Sequence, residues 1–234
     1  MILELDIGNS RVKWRTLAAG AVTARGHCER ATPDWPAALP QQEVERIRVA
    51  NVGGAEAAEQ LTCWAQAHWG LTPAYAESLP ALAGVINGYR EPARLGIDRW
   101  LALLAAWREL RAEAILVSAG TALTVDVLLD TGQHGGGYIV PGLHLMRDAL
   151  ISGTSGVRPA VATVVDLAPG HSTTEAVFHG CMAMAVTLIE WARRDIATPV
   201  VLSGGDAGTL APWLTGPVLQ RPELVLDGLG IALP

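Results

Sequence analysis

The amino-acid sequence predicts an α/β protein built from two similar lobes. Three observations carry that expectation. The chain has 234 residues, half of them hydrophobic, which suits one large domain or two ordinary lobes with their own cores. Each half opens on a strand, a glycine turn and two further strands before moving to helical patterns. The two openings also overlay residue by residue at a constant offset. Leu5-Asp6-Ile7-Gly8-Asn9-Ser10-Arg11-Val12 falls on Val117-Ser118-Ala119-Gly120-Thr121-Ala122-Leu123-Thr124. Duplication at half the chain length points to two lobes, expected at 1–112 and 113–234, rather than to a solenoid. A cleft between two lobes is a natural ligand site.

In order along the chain, residues 2–7 alternate as a half-buried strand, and Gly8-Asn9-Ser10 is a turn signal. Residues 11–17 alternate again, and 20–27 add a third strand. Residues 31–45 read as a loop entering a short helix, 46–52 as a strand and 54–69 as a helix. Residues 82–94, with Asn87-Gly88-Tyr89 and Pro92, are largely irregular. Residues 96–112 form a long helix. Strands follow at 114–119, 122–129 and 135–140, then a helix over 143–151, a loop over 152–170 and a second long helix over 173–195. A buried strand at 198–203 leads into Gly204-Gly205-Asp206 and a helix start. A last strand is expected near 223–226, before a glycine-rich tail.

The formal net charge is −6 and no run of Lys or Arg exceeds two, so a basic stripe for nucleic acid is absent. Cys28, Cys63 and Cys181 have no CxxC spacing and read as reduced thiols. The apolar segments are too short or too broken to span a bilayer, and the first residues form a strand pattern rather than a signal. A cytoplasmic protein is the simplest expectation.

Several segments could carry chemistry. In Asp6-Ile7-Gly8-Asn9-Ser10, Gly8 permits a turn that brings backbone N–H groups close to an anion. Asp6 could hold Mg²⁺, and Lys13 could reach a phosphate. An ordinary hairpin turn is the competing interpretation. Ser118 to Asp126 repeats the local pattern, so two glycine-polar hairpins could clasp a polyphosphate. Neither matches GxxxxGK[ST], and no GxGxxG lies in a strand–helix setting. Asp98, in Gly96-Ile97-Asp98-Arg99, sits at a helix start, where it could be a cap or a general base. Arg99 could fix a carboxylate or phosphate, or make a surface ion pair. Gly135 to Gly142 and Ser203-Gly204-Gly205-Asp206 are further glycine-dense turns, and the second could seat an adenine ring on bare backbone. Thr173-Thr174-Glu175-Ala176 is a helix start. The six His show no metal-ligand spacing, and no Ser-His-Asp arrangement can be drawn.

Asp6-Ile7-Gly8-Asn9-Ser10, Gly96-Ile97-Asp98-Arg99, Gly120-Thr121-Ala122-Leu123-Thr124-Val125-Asp126 and Gly136-Gly137-Tyr138-Ile139-Val140-Pro141-Gly142 together resemble the type III pantothenate kinases. Their order and spacing fit from residue 1 to the Ser203–Asp206 turn. The resemblance implies two ribonuclease H-like lobes of the actin-like ATPase superfamily, with a cleft between them. It implies ATP-dependent phosphorylation of pantothenate, the first step of coenzyme A synthesis, with Mg²⁺, a monovalent cation (K⁺ or NH₄⁺) and a homodimer. By position, Asp98 would be the proton acceptor. Asp6, Ile7, Gly8, Asn9, Ser10, Arg11, Val12 and Lys13 would form the first phosphate loop, with Asp6 near Mg²⁺, and Thr121 would contact ATP. Tyr89, Gly96, Ile97, Asp98 and Arg99 would line the pantothenate site, and Thr173 would reach the substrate at the dimer interface.

One departure is Ser118, where the family usually has an Asp implicated in holding the monovalent cation. A neutral hydroxyl is a weaker cation ligand, so weakened or altered cation dependence is expected. The alternative is a catalytically weakened member that acts as an ATP-binding regulatory protein. The segment 152–170 is also short for the family.

Overall fold

The computed structural model describes residues 1–160 and 166–234. The chain divides into two compact units, Met1–Leu110 with Glu223–Pro234, and Arg111–Pro222. The last segment, expected in the second lobe, therefore returns to the first.

The first unit opens with β1 (Ile2–Ile7), β2 (Arg11–Ala18) and β3 (Ala21–Glu29), an antiparallel meander. A short 3₁₀ turn, Trp35–Ala38, precedes β4 (Arg46–Asn51), which lies parallel to β1. Next come α1 (Ala55–Trp69), β5 (Ala74–Tyr75), the two-residue strands β6 (Ala81–Leu82) and β7 (Val85–Ile86), and α2 (Ile97–Leu110). The mixed sheet runs β3-β2-β1-β4-β5. Strand alternation gives it two different faces. Leu3, Leu5 and Ile7 join Val12, Ile47 and Val49 in a core with Ala57, Leu61, Trp64 and Ala65 of α1. Those α1 positions recur at helical spacing, which is why this helix covers that face.

The opposite face of β1 carries Glu4 and Asp6, paired across the strands with Arg15 and Lys13. A charge so deeply buried survives only when fully partnered. Glu4 accepts from Arg15 Nε at 2.7 Å and from Arg48 Nη1 at 3.0 Å.

The second unit repeats the plan with β8 (Ala114–Ala119), β9 (Ala122–Leu128), β10 (His134–Pro141), α3 (Leu143–Gly153), α4 (Thr173–Arg193), β11 (Val200–Ser203), the short α5 (Ala207–Leu210) and β12 (Val218–Gln220). Its sheet order, β10-β9-β8-β11-β12, is that of the first unit element for element. Ile115, Val117, Leu123, Val125, Val200 and Leu202 pack on Met182, Ala185, Val186 and Ile189 of α4. Of the expected 152–170 loop, residues 161–165 lie outside the described residues.

The expected strand at 223–226 is instead the start of α6 (Leu224–Ala232), and the last strand is β12. Two glycines and two β-branched residues, Val225 and Ile231, disfavour a helix locally. Tertiary packing outweighs that preference. Leu224, Leu226 and Leu229 are buried, and Gly228 rests on the backbone of Leu101, where a Cβ would lie 2.3 Å from the Leu101 carbonyl oxygen. Arg15 Nη1 fastens α6 to the first sheet through Asp227 at 2.7 Å and Glu223 at 3.0 Å.

Candidate active site

In the first unit, Asp6 stands near the carboxyl end of β1, directly across from Lys13. Gly8 closes the turn by donating its N–H to Arg11 O at 2.9 Å. Ile7 and Val12 place their side chains in the core, so only their backbone can face a ligand, and the same holds for Ile97. Arg11 is exposed and paired with Glu29 at 2.8 Å.

Burial pushes the Asp6 carboxyl up from 3.8 to about 6; the Lys13 charge lowers it, and the Asp98 carboxylate raises it further. The two carboxylates and the lysine therefore share one electrostatic neighbourhood. Because the folded-state value is raised, the proton-bound form favours the fold. That contribution is complete below about pH 4 and lost as pH rises through about 6. In metal-free protein the ionised carboxylate then costs about 3 kcal/mol. Asp6→Asn is expected to melt higher than the native chain at pH 8 in chelator, with the gain vanishing near pH 4. An equal difference at both pH values in thermal melts would refute the burial account.

Asp98 lies in the first turn of α2, and its carboxylate folds back over Gly96, where a Cβ would stand 2.7 Å from Oδ1. Gly96 thus leaves room for the carboxylate. The first turn of a helix is a favourable place for a carboxylate. Next to it, Arg99 is buried rather than on the surface, and its Nη1 donates to Tyr89 Oη at 2.6 Å. Tyr89 is held in turn by Asn87, whose Oδ1 accepts the Tyr89 N–H at 3.0 Å. The Asn87 amide donates to Leu79 O at 3.2 Å and Pro92 O at 3.1 Å. The segment that reads as irregular is therefore ordered by one buried side chain. Asn87 was visible in the sequence only as a turn signal.

In the second unit, three glycine-dense segments meet at the carboxyl end of β8. Gly142 donates its N–H to Thr121 O at 2.9 Å, and a Cβ there would lie 2.0 Å from Gly120 O. From β11, Gly204 lies against Ala119, and Asp206 N donates to Ala119 O at 3.0 Å. The carboxyl ends of parallel strands are where α/β sheets hold ligands. Thr121 is exposed at the tip of this hairpin.

The two hairpins differ in register. In the first unit Ile7 pairs with Val12, whereas in the second Ala119 pairs with Leu123. The second hairpin is one residue shorter, so the constant offset ends at the turn. Asp6 opposite Lys13 therefore corresponds to Ser118 opposite Thr124. An acid–base pair in one unit is a neutral hydroxyl pair in the other.

Thr173 is exposed and opens α4, but the cap is Ser172, whose Oγ accepts Glu175 N at 3.2 Å. Among the described residues, no group of three or more His, Cys, Asp or Glu side chains comes together. The donors at Asp6 fit an ion such as Mg²⁺, which takes one or two carboxylates and completes its shell with phosphate oxygens and water.

Two α/β units of one strand order, each with a glycine-polar hairpin leading off its central strand, define the fold of the actin-like ATPases and sugar kinases. Solved structures of that fold superimpose over nearly the whole chain. One, described as a 2-dehydro-3-deoxygalactonokinase, is from Sinorhizobium meliloti (TM-score 0.62, 14% identity, covering 99% of this chain and 95% of that one). Another, described as a Baf family transcriptional activator, is from Campylobacter jejuni (TM-score 0.68, 24% identity, covering 97% and 95%). The profile of the type III pantothenate kinases matches residues 2–194. The chain is 37% identical to the type III pantothenate kinase of Nitrosococcus oceani, covering 98% of this chain and 92% of that protein. It is 38% identical to that of Pseudomonas savastanoi pv. phaseolicola, covering 100% and 99%. The chain belongs to the type III pantothenate kinase family.

Proposed function

We infer that the protein transfers the γ-phosphoryl group of ATP to the C4′ hydroxyl of pantothenate, the entry reaction of coenzyme A synthesis. The observation that carries this is Asp98: a carboxylate in the first turn of α2, whose charge acts on Asp6, adjacent to the buried Arg99 and its partner Tyr89. Asp98 accepts the hydroxyl proton as the new O–P bond forms and the bond between the γ-phosphorus and the ADP oxygen breaks. Arg99, fixed by Tyr89, supplies a pre-oriented guanidinium for the carboxylate or amide carbonyls of pantothenate. Backbone amides at Asn9 and Ser10 and the Lys13 ammonium serve the nucleotide phosphates. Asp6 would hold Mg²⁺, which would offset the charge of those phosphates. The direct test is ATP-dependent formation of phosphopantothenate by the purified chain.

The protein works as a homodimer in the cytoplasm, where its three unpaired thiols stay reduced. Support for self-association comes from one apolar surface of the second unit. Met184 and Trp191, seven residues apart on α4, are each 65% exposed, and the Trp191 ring stacks edge-on with Tyr138 of edge strand β10 at 5.4 Å. Patches of this kind mark protein contacts. No helix among the described residues is long and apolar enough to cross a membrane.

Ser118 and Thr124 offer a monovalent cation only neutral oxygens. Turnover is therefore expected to depend weakly on K⁺ or NH₄⁺, and Ser118→Asp to increase that dependence without removing the chemistry. Identical cation titrations of the two proteins would rule out a cation role for this position.

A further inference from the structure

We propose that Arg30 is a positioning residue that sets the orientation of the first phosphate loop, an inference that rests on residues 8–13 binding nucleotide phosphates. Arg30 follows β3 directly and lies far from the turn in sequence. Its guanidinium bridges two turns of the first unit. Nε donates to Asn9 O at 2.9 Å, and Nη1 donates to Gly53 O at 2.6 Å. Its own backbone N–H donates to Ser10 O at 2.9 Å. The second turn is braced as well. Asn51 Oδ1 accepts from Gly53 N at 2.9 Å, and its amide donates to Gly54 O at 2.9 Å. Gly53 nests so closely that a Cβ would stand 2.9 Å from Ile7 Cγ2 and 3.2 Å from Gly8 O.

The consequence follows from peptide geometry. In a trans peptide the C=O and the following N–H point in opposite directions. Holding Asn9 O toward Arg30 therefore turns the Ser10 N–H to the other side. The Ile7 carbonyl is likewise taken, by Val52 N at 2.9 Å. The carbonyls of Ile7, Asn9 and Ser10 are thus all drawn to protein donors, which keeps their negative ends from a phosphate. An unbraced 9–10 peptide could rotate and present an oxygen instead. The planar guanidinium suits the task because it serves both carbonyls at once; a lysine ammonium on a flexible stem does not reproduce that fork.

Steady-state kinetics of Arg30→Ala, Arg30→Lys and Lys13→Ala tests this, with thermal melts of each. The expected result is an ATP KM raised about tenfold in both Arg30 variants, with the pantothenate KM changed by less than about twofold. Lys13→Ala should also raise the ATP KM. If Arg30→Lys matches the native protein, Arg30 acts only through its charge and the inference fails. A normal ATP KM in Arg30→Ala beside a raised one in Lys13→Ala would leave the phosphate loop standing and overturn the role of Arg30. If neither residue affects the ATP KM, the loop assignment falls and takes the inference with it. A lower melting temperature with both KM values unchanged would reduce Arg30 to a structural brace.

Discussion

Asp98→Asn is expected to lower kcat by a factor of about 10² to 10⁴, the range spanned by a positioned general base, while the KM for ATP changes little. The asparagine keeps the shape that folds back over Gly96 but cannot take a proton from the acceptor hydroxyl. A second effect accompanies the first. Asp98 is one of the causes that raise the Asp6 carboxyl, so its neutralisation should let Asp6 ionise at lower pH. Full turnover by Asp98→Asn in a coupled ADP-release assay would remove Asp98 from the reaction.

The largest effect on the fold is expected at Gly204. Its φ is +95°, and a Cβ would lie 2.3 Å from Ala119 O and 2.6 Å from Ala119 N. Both neighbours are backbone of the central strand, and Asp206 N already donates to that same carbonyl. Neither side can yield without shifting the hairpin that carries Thr121. Gly204→Ala should therefore lose at least about 3 kcal/mol, or roughly 10 °C in melting temperature for a chain of this size. Gly205, one residue on, would place a Cβ in open space. Gly205→Ala should melt within about 2 °C of the native protein. Equal melting temperatures for the two variants would contradict the packing described here.

Much of the architecture is legible in local pattern, because the strands β1 and β2 alternate with the period of a pleated sheet, β8 is a short apolar run, and their turns carry glycine. The duplication is visible as well, since each half opens on the same order of strand, glycine turn, strand and strand, with Gly8 falling on Gly120. What escapes is everything settled by distant partners. Helix α6 has poor local propensity and exists because Gly228 can lie on Leu101 and because Arg15 binds Asp227. The one-residue difference between the two hairpins is invisible in an ungapped overlay and emerges only from strand register. Within the site, the motif residues Asp6, Asp98 and Arg99 stand out as residue types, but their grouping does not. Asn87 and Arg30 act through carbonyls that no sequence pattern records. A polar residue whose role is to hold backbone looks like any other turn or surface residue until the chain is folded.

The central claim is that this chain moves a phosphoryl group onto pantothenate. It is tested most directly by incubating the folded protein with γ-labelled ATP, Mg²⁺, pantothenate and K⁺ or NH₄⁺, and following the label. The expected result is label transferred to pantothenate, dependent on both substrates and lost in Asp98→Asn. Bound ATP with no label transferred under any monovalent cation would contradict the claim and leave a nucleotide-binding regulatory protein of the same fold.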